Sequence, residues 1–196
     1  MQKFWRDRLE EHIDVIKGIS ADAELINLTH QAAQLIVHAF RTGSKLLICG
    51  NGGSAADSQH LATELVSRFI LERKALDAEA LTINTSSLTA IGNDYSFDKV
   101  FSRQVEAKGK KGDVLLGIST SGNSKNVIEA IKTAKDIGIK TIGFTGNNKK
   151  SLIYKLSDYC IYVPSSSTPR IQEAHIVIGH ILCEFIENEL FGKKCS

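Results

Sequence analysis

The sequence predicts an α/β protein whose sheet is mostly parallel and covered by helices on both faces. Five short apolar runs alternate with segments of helical periodicity, which is the pattern of repeated β-α-β units. Polar segments rich in glycine, serine or asparagine follow four of these runs, where ligands bind in such sheets. The predicted strands are residues 46–49, 80–83, 114–118, 140–144 and 159–163.

Composition indicates one globular domain and excludes several classes of partner. The chain has 196 residues, of which 42% are hydrophobic and 23% charged. A net charge of +2 from 24 basic and 22 acidic residues gives no electrostatic reason to expect nucleic acid as a partner. Because the chain shows neither a signal sequence nor a run of about 18 apolar residues, we expect a cytoplasmic protein with no membrane partner.

The four cysteines are scattered, and none forms a C-x-x-C pair. Cys49, Cys160 and Cys183 lie in apolar strand or helix patterns, whereas Cys195 is next to the last residue. This arrangement favours reduced, buried thiols over disulfides or a thiolate metal site.

Two helices are predicted before the first strand, at residues 4–18 and 22–41. The second has a plausible N-cap at Ser20 and ends near Gly43. Apolar residues recur at helical spacing on both helices. Helices of this kind pack either on a partner subunit or on their own sheet, and the sequence leaves both alternatives open.

The first strand runs through a glycine turn into a helix with ionisable side chains. Gly50, Gly52 and Gly53 permit a tight turn, and Ser54 is the predicted N-cap, so free amides would favour an anion such as phosphate. His60 and Glu64 share one face of this helix as an acid–base or metal-binding pair. The turn matches neither common nucleotide fingerprint, and a ligand-free connection is the alternative.

Hydroxyl groups are concentrated after the third strand, before a helix predicted at residues 126–138. Hydroxyls and the amides of a helix start can bind phosphate without a cationic side chain. The alternative is a simple capping turn, but four hydroxyls exceed what a cap requires. The four residues are Ser119, Thr120, Ser121 and Ser124. Loops at 84–94 and 145–147 are predicted to reach the same edge of the sheet.

The last helix is predicted from Thr168 to about Leu190, and it is largely apolar. Gln172, His175 and His180 are polar groups on this helix, and each needs a partner if it is buried.

Taken together, the motifs resemble those of the phosphoheptose isomerases, also called sedoheptulose 7-phosphate isomerases, in the sugar isomerase (SIS) domain superfamily. The resemblance covers nearly the whole chain. It rests on Cys-Gly-Asn-Gly-Gly-Ser, His60-x-x-x-Glu64, Gly92-Asn93-Asp94, Gly-Ile-Ser-Thr-Ser-Gly-Asn-Ser and Arg-Ile-Gln-Glu-x-His-x-x-x-x-His.

The resemblance implies a flavodoxin-like, doubly wound sheet of five parallel strands. It implies a single SIS domain over residues 1–196, with a helical extension at 1–43 and a phosphosugar-binding core at 44–196. It further implies a homotetramer with sites at subunit interfaces, which interconverts sedoheptulose 7-phosphate and D-glycero-D-manno-heptose 7-phosphate. That reaction opens heptose synthesis for lipopolysaccharide or other surface glycans.

The resemblance also implies roles for individual residues. One zinc ion per subunit would be bound by His60, Glu64, Gln172 and His180, and Glu64 and His180 would form the acid–base pair. Residues 172 and 180 are about 12 Å apart along an ideal helix, so both reach one ion only with extended side chains or a distorted helix. Substrate would be bound by Asn51, Gly52, Gly53, Ser54, Glu64, Asn93, Asp94, Ser119, Thr120, Ser121, Ser124 and Gln172.

The rival class is a binding protein without catalysis. The DnaA-associating replication initiator resembles these isomerases throughout but lacks acid–base residues at the positions of Glu64 and His180. This chain has both, which favours an enzyme. A phosphosugar-binding SIS regulator is the other alternative, and the sequence does not decide which of the two residues is the base in each direction.

Overall fold

A computed structural model describes residues 2–192, so Cys195 lies outside the described residues. The five strands are all parallel and follow the order β2-β1-β3-β4-β5, with a switch point between β1 and β3. The predicted flavodoxin-like α/β fold is therefore confirmed.

The strands are β1 Leu46–Gly50, β2 Ala78–Ala80, β3 Val114–Ile118, β4 Lys140–Thr145 and β5 Tyr159–Tyr162. The helices are α1 Gln2–Ala21, α2 Ala23–Arg41, α3 Gly53–Val66, α4 Thr85–Asp94, α5 Ser102–Lys108, α6 Lys125–Asp136, α7 Leu152–Leu156 and α8 Thr168–Phe191, with a 3-10 turn at Phe97–Lys99.

The two faces of the sheet carry separate cores, because side chains alternate along each strand. Ile48 and Phe144 belong to a core shared with α2, α3 and α8. Leu47 and Leu115 belong to a second core beneath α5, α6 and α7. Both faces are covered, which explains why most strand positions are buried rather than alternating between buried and exposed.

The prediction for the second strand was wrong, because the strand begins two residues and ends three residues earlier than the predicted range 80–83. The edge strand β2 pairs with β1 through Ala78 opposite Leu46 and Ala80 opposite Ile48, and the chain turns after Ala80. Leu81 stays buried, but Ile83 is 56% exposed, so the apolar run does not coincide with the strand. The predicted loop at 84–94 is also largely helical, as α4.

The two N-terminal helices behave differently. Buried residues of α2, including Leu25 and Ile36, pack in the core of their own sheet. No residue of α1, which lies wholly in the described part of the chain, is fully buried. The predicted cap at Ser20 was wrong, because Asp22 Oδ1 accepts from the Leu25 amide at 3.0 Å and Ser20 lies inside α1.

The helices within residues 2–192 are too short or too polar to cross a membrane. Cys49, Cys160 and Cys183 are buried free thiols, as predicted. Burial raises the pKa of Cys49 to about 12, so this thiol is not a nucleophile at neutral pH.

Candidate functional site

The turn after β1 is shaped by its glycines. Gly52 has a φ of 56°, in the left-handed region that favours glycine, and a Cβ at Gly50 would lie 2.7 Å from Ser54. Gly52, rather than Ser54, is the N-cap of α3, and its cap makes no side-chain hydrogen bond. Ser54 is buried within the first helical turn, so the prediction that it caps the helix was wrong. The amides of this turn therefore have no capping side chain as a competitor.

The loop after β3 brings hydroxyl groups together. Ser119 Oγ lies 2.8 Å from Ser124 Oγ and 3.3 Å from Ser121 Oγ. Ser124 occupies the N-cap position of α6 but forms no capping hydrogen bond through its side chain. The cluster is thus not explained by capping alone, and it can offer several donors to an anion. The Thr120 carbonyl accepts from the Gly146 amide at 3.0 Å, which joins this loop to the one after β4.

A pair of side-chain amides connects the turn after β1 to the start of α6, across the switch point of the sheet. Asn51 donates to Asn126 at 2.8 Å, and Asn126 donates back to Asn51 at 2.9 Å. Asn126 is buried at the start of α6, and sequence reasoning did not identify it. Its only signal was a polar residue in the first turn of a helix, which is common without any function.

Three ionisable side chains meet between α3 and α8. His60 Nε2 lies 2.8 Å from His180 Nε2 and 3.3 Å from a carboxylate oxygen of Glu64. One ligand atom from each residue can be chosen so that all lie within 4.8 Å of one another. The predicted i, i+4 pairing on α3 is therefore present, and α8 adds the third residue.

The donor set of this cluster fits a zinc ion. Zinc is commonly bound by two imidazoles and a carboxylate, with one position open in catalytic sites. Ligand atoms of a tetrahedral zinc site are about 3.4 Å apart. The separation of His60 Nε2 from Glu64 is close to this value at 3.3 Å, and the two imidazole nitrogens are closer together at 2.8 Å. Two helices from different parts of the chain supply the ligands, so a bound ion would also tie α3 to α8.

Gln172 contacts a residue of α3 that sequence reasoning did not identify. Its Nε2 donates to Asp57 Oδ1 at 3.0 Å, and Asp57 is buried on α3. Burial raises the pKa of the Asp57 carboxyl, while the hydrogen bond from Gln172 opposes that shift. Asp57 precedes His60 by three residues on the same helix, and that spacing was the one available signal.

A buried ion pair lies at the far end of α3. Arg73 and Glu187 contact each other at 3.0 Å, and both side chains are 1% exposed. The Phe69 amide donates to Glu187 at 3.1 Å, and the Phe69 ring lies 5.6 Å from the His180 ring between centroids. Sequence reasoning missed both charged residues, because their partners are more than 100 positions apart.

The remaining predicted residues lie apart from these contacts. Asn93 donates to Asp94 at 2.8 Å, and both are exposed at the end of α4. His175 is buried, with Nε2 3.1 Å from the Thr145 carbonyl oxygen, so it is a core residue with a partner. Burial lowers the pKa of His175 to about 4, which keeps the ring neutral at neutral pH.

The fold and this site define a SIS domain. The sequence model of the SIS domain family matches residues 12–146, a range that includes β1, β3 and the loops that follow them. Within that superfamily, the chain belongs to the phosphoheptose isomerase family.

Relatives and solved structures support this assignment. The phosphoheptose isomerase of Clostridium acetobutylicum is 53% identical, over 99% of this chain and 98% of that protein. The structure of phosphoheptose isomerase GmhA from Neisseria gonorrhoeae has a TM-score of 0.88 and 44% identity, over 95% of this chain and 98% of that one. A phosphoheptose isomerase structure from Francisella tularensis has a TM-score of 0.89 and 36% identity over the same shares.

Proposed function

We propose that this chain is an aldose–ketose isomerase that interconverts sedoheptulose 7-phosphate and D-glycero-D-manno-heptose 7-phosphate. The reaction would start the supply of heptose for lipopolysaccharide or other surface glycans. The observation that carries the proposal is the meeting of Glu64 and His180 around His60. A protein that only binds a phosphosugar has no need for this proton-transfer pair.

Substrate would lie along α3. The phosphate is assigned to the hydroxyls and amides of the β3 loop, with Asn51, Gly52, Gly53 and Ser54 lining the same crevice. Six residues separate Ser54 from His60, a rise of about 9 Å along the helix, so the phosphate and the reacting carbons occupy opposite ends of an extended sugar. Asn93 and Asp94 are assigned to sugar hydroxyls.

The reaction moves a carbonyl group between C1 and C2 and needs two proton transfers. Glu64 is assigned as the base that takes the carbon-bound proton, and His180 as the acid that serves the neighbouring oxygen. In the reverse direction each residue serves the same kind of atom, with Glu64 acting at carbon and His180 at oxygen.

Zinc is the proposed cofactor, with one ion per subunit. His60, Glu64 and His180 would hold it, together with Gln172 if its amide oxygen is extended toward the cluster. When bound, the ion supplies a positive charge that stabilises the developing enediolate. Glu64 and His180 belong both to this ligand set and to the acid–base pair, so metal binding and proton transfer would share residues.

A homotetramer with sites at subunit interfaces is also part of the proposal. Trp5, Leu9 and Ile13 of α1 are exposed, at 65%, 63% and 47%. A cavity of about 380 Å³ lies between α1, α2 and α8 and is lined mainly by apolar residues, Ile181 and Phe185 among them. Apolar surface of this extent on a helix favours a second copy of the chain as its cover.

The cytoplasm is the proposed compartment. Cys49, Cys160 and Cys183 are free thiols in the structure, which is typical of a reducing environment.

The test is a product assay with sedoheptulose 7-phosphate in deuterated water, with and without added zinc. We expect heptose 7-phosphate to form and solvent deuterium to enter the sugar at a carbon next to the carbonyl. A wild-type protein that binds sedoheptulose 7-phosphate but gives neither product nor exchange under both conditions would instead be a binding protein.

A further inference from the structure

We propose that Asp57 is a positioning residue that fixes the side-chain amide of Gln172, so that the amide nitrogen faces Asp57 and the amide oxygen remains free for the metal or the substrate. This inference rests on the proposed function, because that function gives Gln172 its role. Asp57 itself is assigned neither to the metal nor to proton transfer.

The hydrogen bond between the two residues determines the orientation of the amide. A glutamine amide has an oxygen and a nitrogen of nearly equal shape, so packing alone does not decide which one faces a neighbour. The Asp57 carboxylate accepts hydrogen bonds but does not donate them when ionised. The 3.0 Å contact with Gln172 therefore selects the nitrogen on that side. Within residues 2–192, Oε1 makes no hydrogen bond and is left as an acceptor for a ligand.

Gly53 confines the same amide from a second side. A Cβ at Gly53 would lie 2.9 Å from Cδ and Oε1 of Gln172 and 3.0 Å from Nε2. The amide group is thus packed directly against the backbone at the start of α3, one turn before Asp57. Gly53 and Asp57 of α3 both contact the Gln172 side chain of α8, which leaves its amide little freedom to rotate.

The second carboxylate oxygen of Asp57, Oδ2, indicates that the contact with Gln172 has more than a structural role. Asp57 is 5% exposed, and its Oδ2 has no hydrogen-bond partner among residues 2–192. A buried acceptor without a partner costs about 1–3 kcal/mol. A contact that only joined α3 to α8 could be made by an apolar or amide side chain without that cost. A carboxylate at this position is explained if the orientation of Gln172 matters for function.

The test compares Asp57→Ala, Asp57→Asn and Gln172→Ala with the double variant Asp57→Ala/Gln172→Ala in the full chain. Zinc affinity is measured by competition with a chromophoric chelator, and kcat and KM are measured with sedoheptulose 7-phosphate. Thr63→Ala, an exposed change on α3, is the matched control. Thermal unfolding of every variant reports whether the fold is retained.

Loss of a residue that orients a metal ligand typically reduces affinity or activity roughly 10–100-fold, and we expect that loss for Asp57→Ala. Asp57→Asn should give a smaller loss than Asp57→Ala, because its amide can accept from Gln172 in one orientation but can donate to Oε1 in the other. In the double variant, Asp57→Ala should add little to Gln172→Ala, since it acts through that residue.

Provided that the wild type binds zinc and turns over its substrate, three results would overturn the proposal. They are unchanged zinc affinity and kinetics in Asp57→Ala, fully additive losses in the double variant, and equal losses in Asp57→Ala and Asp57→Asn. A wild type that neither binds zinc nor isomerises the sugar would overturn the proposed function, and this inference with it.

Discussion

Arg73 and Glu187 form a buried ion pair that fastens the end of α3 to α8. Arg73 Nε lies 3.0 Å from Glu187 Oε1, and both side chains are 1% exposed. Since α3 carries His60 and Glu64 and α8 carries His180, the pair holds together the two helices that form the site. Glu187 also accepts from the amides of Phe69, Ile70 and Leu71, and Arg73 donates to the carbonyls of Glu64, Leu65, Ser67 and Lys74.

Glu187→Gln should strongly destabilise the fold, because it keeps the shape but leaves the Arg73 charge buried without compensation. Breaking a buried pair in this way costs about 3–5 kcal/mol, or roughly 6–20 °C in Tm for a chain of this size. Thermal unfolding at fixed protein concentration measures the effect. Glu184→Gln, an exposed change on the same helix, is the control, and equal Tm values for the two variants would contradict the prediction.

The same pair should make stability depend on pH. Burial raises the pKa of Glu187, but three backbone amides and Arg73 outweigh it and hold the pKa below the ordinary value of 4.5. A carboxyl with a lowered folded pKa stabilises the fold above its unfolded pKa and loses this contribution as the pH falls through the folded value. The Tm difference between wild type and Glu187→Gln should therefore shrink below pH 4.5.

His175 should weaken the fold in mild acid. Its pKa is lowered to about 4 by burial, whereas the unfolded chain binds the proton near pH 6.5. The free energy of unfolding therefore falls by about 3 kcal/mol between pH 6.5 and pH 4, relative to a chain without this histidine. His175→Gln, which can still donate to the Thr145 carbonyl, should unfold with a shallower dependence on pH over that range. His38→Gln changes an exposed histidine and should leave the slope as in the wild type.

Sequence patterns were sufficient for the elements whose signal is local. Strands β3 and β4 are buried at nearly every position because both faces of the sheet are covered, so their short, largely apolar runs could be predicted to within one or two residues. The edge strand β2 could not, since pairing of Ala78 and Ala80 with β1 decides it rather than apolarity. Two caps were also misplaced, because Ser20 and Asp22, like Gly52 and Ser54, are both reasonable choices from sequence.

Contacts between distant segments explain what the sequence could not predict of the candidate site. His60 and Glu64 share one helical face, so their pairing was predictable from spacing alone. By contrast, Asp57 meets Gln172 across 115 positions, and Asn51 meets Asn126 across 75. Such pairs depend on the packing of α3 against α8 and of β1 beside β3, which no local pattern encodes.

The hydroxyls of the β3 loop should contribute to substrate affinity rather than to the fold. Ser121→Ala/Ser124→Ala removes two donors near Ser119, and a hydrogen bond to a charged group contributes about 1.5–3 kcal/mol, so KM should rise at least 10-fold. Steady-state kinetics with sedoheptulose 7-phosphate measure this rise in KM. Ser166→Ala, an exposed change outside the loop, should behave as wild type. Unchanged kinetics in the double variant would remove this loop from the site.

The exposed apolar face of α1 should hold subunits together. Trp5→Gln/Leu9→Gln removes two large apolar side chains and should shift the protein from the proposed tetramer to smaller species in light scattering. Arg6→Gln/Glu10→Gln places the same residue type on exposed polar positions of α1 and should leave the mass unchanged. A wild type that is a fully active monomer at working concentration would contradict the proposal that the sites lie at subunit interfaces.

Glu64 and His180 provide the decisive comparison between an isomerase and a binding protein. Glu64→Gln keeps an oxygen close to His60 but loses the base, and His180→Asn keeps a polar group but loses the proton shuttle. Because general acid–base groups each contribute roughly 10²–10⁴ in rate, either variant should lose at least two orders of magnitude in kcat.

Binding should respond differently from turnover in these variants, because the β1 and β3 loops are untouched. Sedoheptulose 7-phosphate should still bind to both, weakened at most by the loss of a metal ligand, as measured by calorimetry on the full chain. Deuterium exchange into the sugar should fall in parallel with kcat in Glu64→Gln if Glu64 removes the carbon-bound proton. Glu184→Gln serves as the matched control on α8. If Glu64→Gln exchanged deuterium at the wild-type rate while product formation stopped, Glu64 would not be the carbon base, and that role would pass to His180.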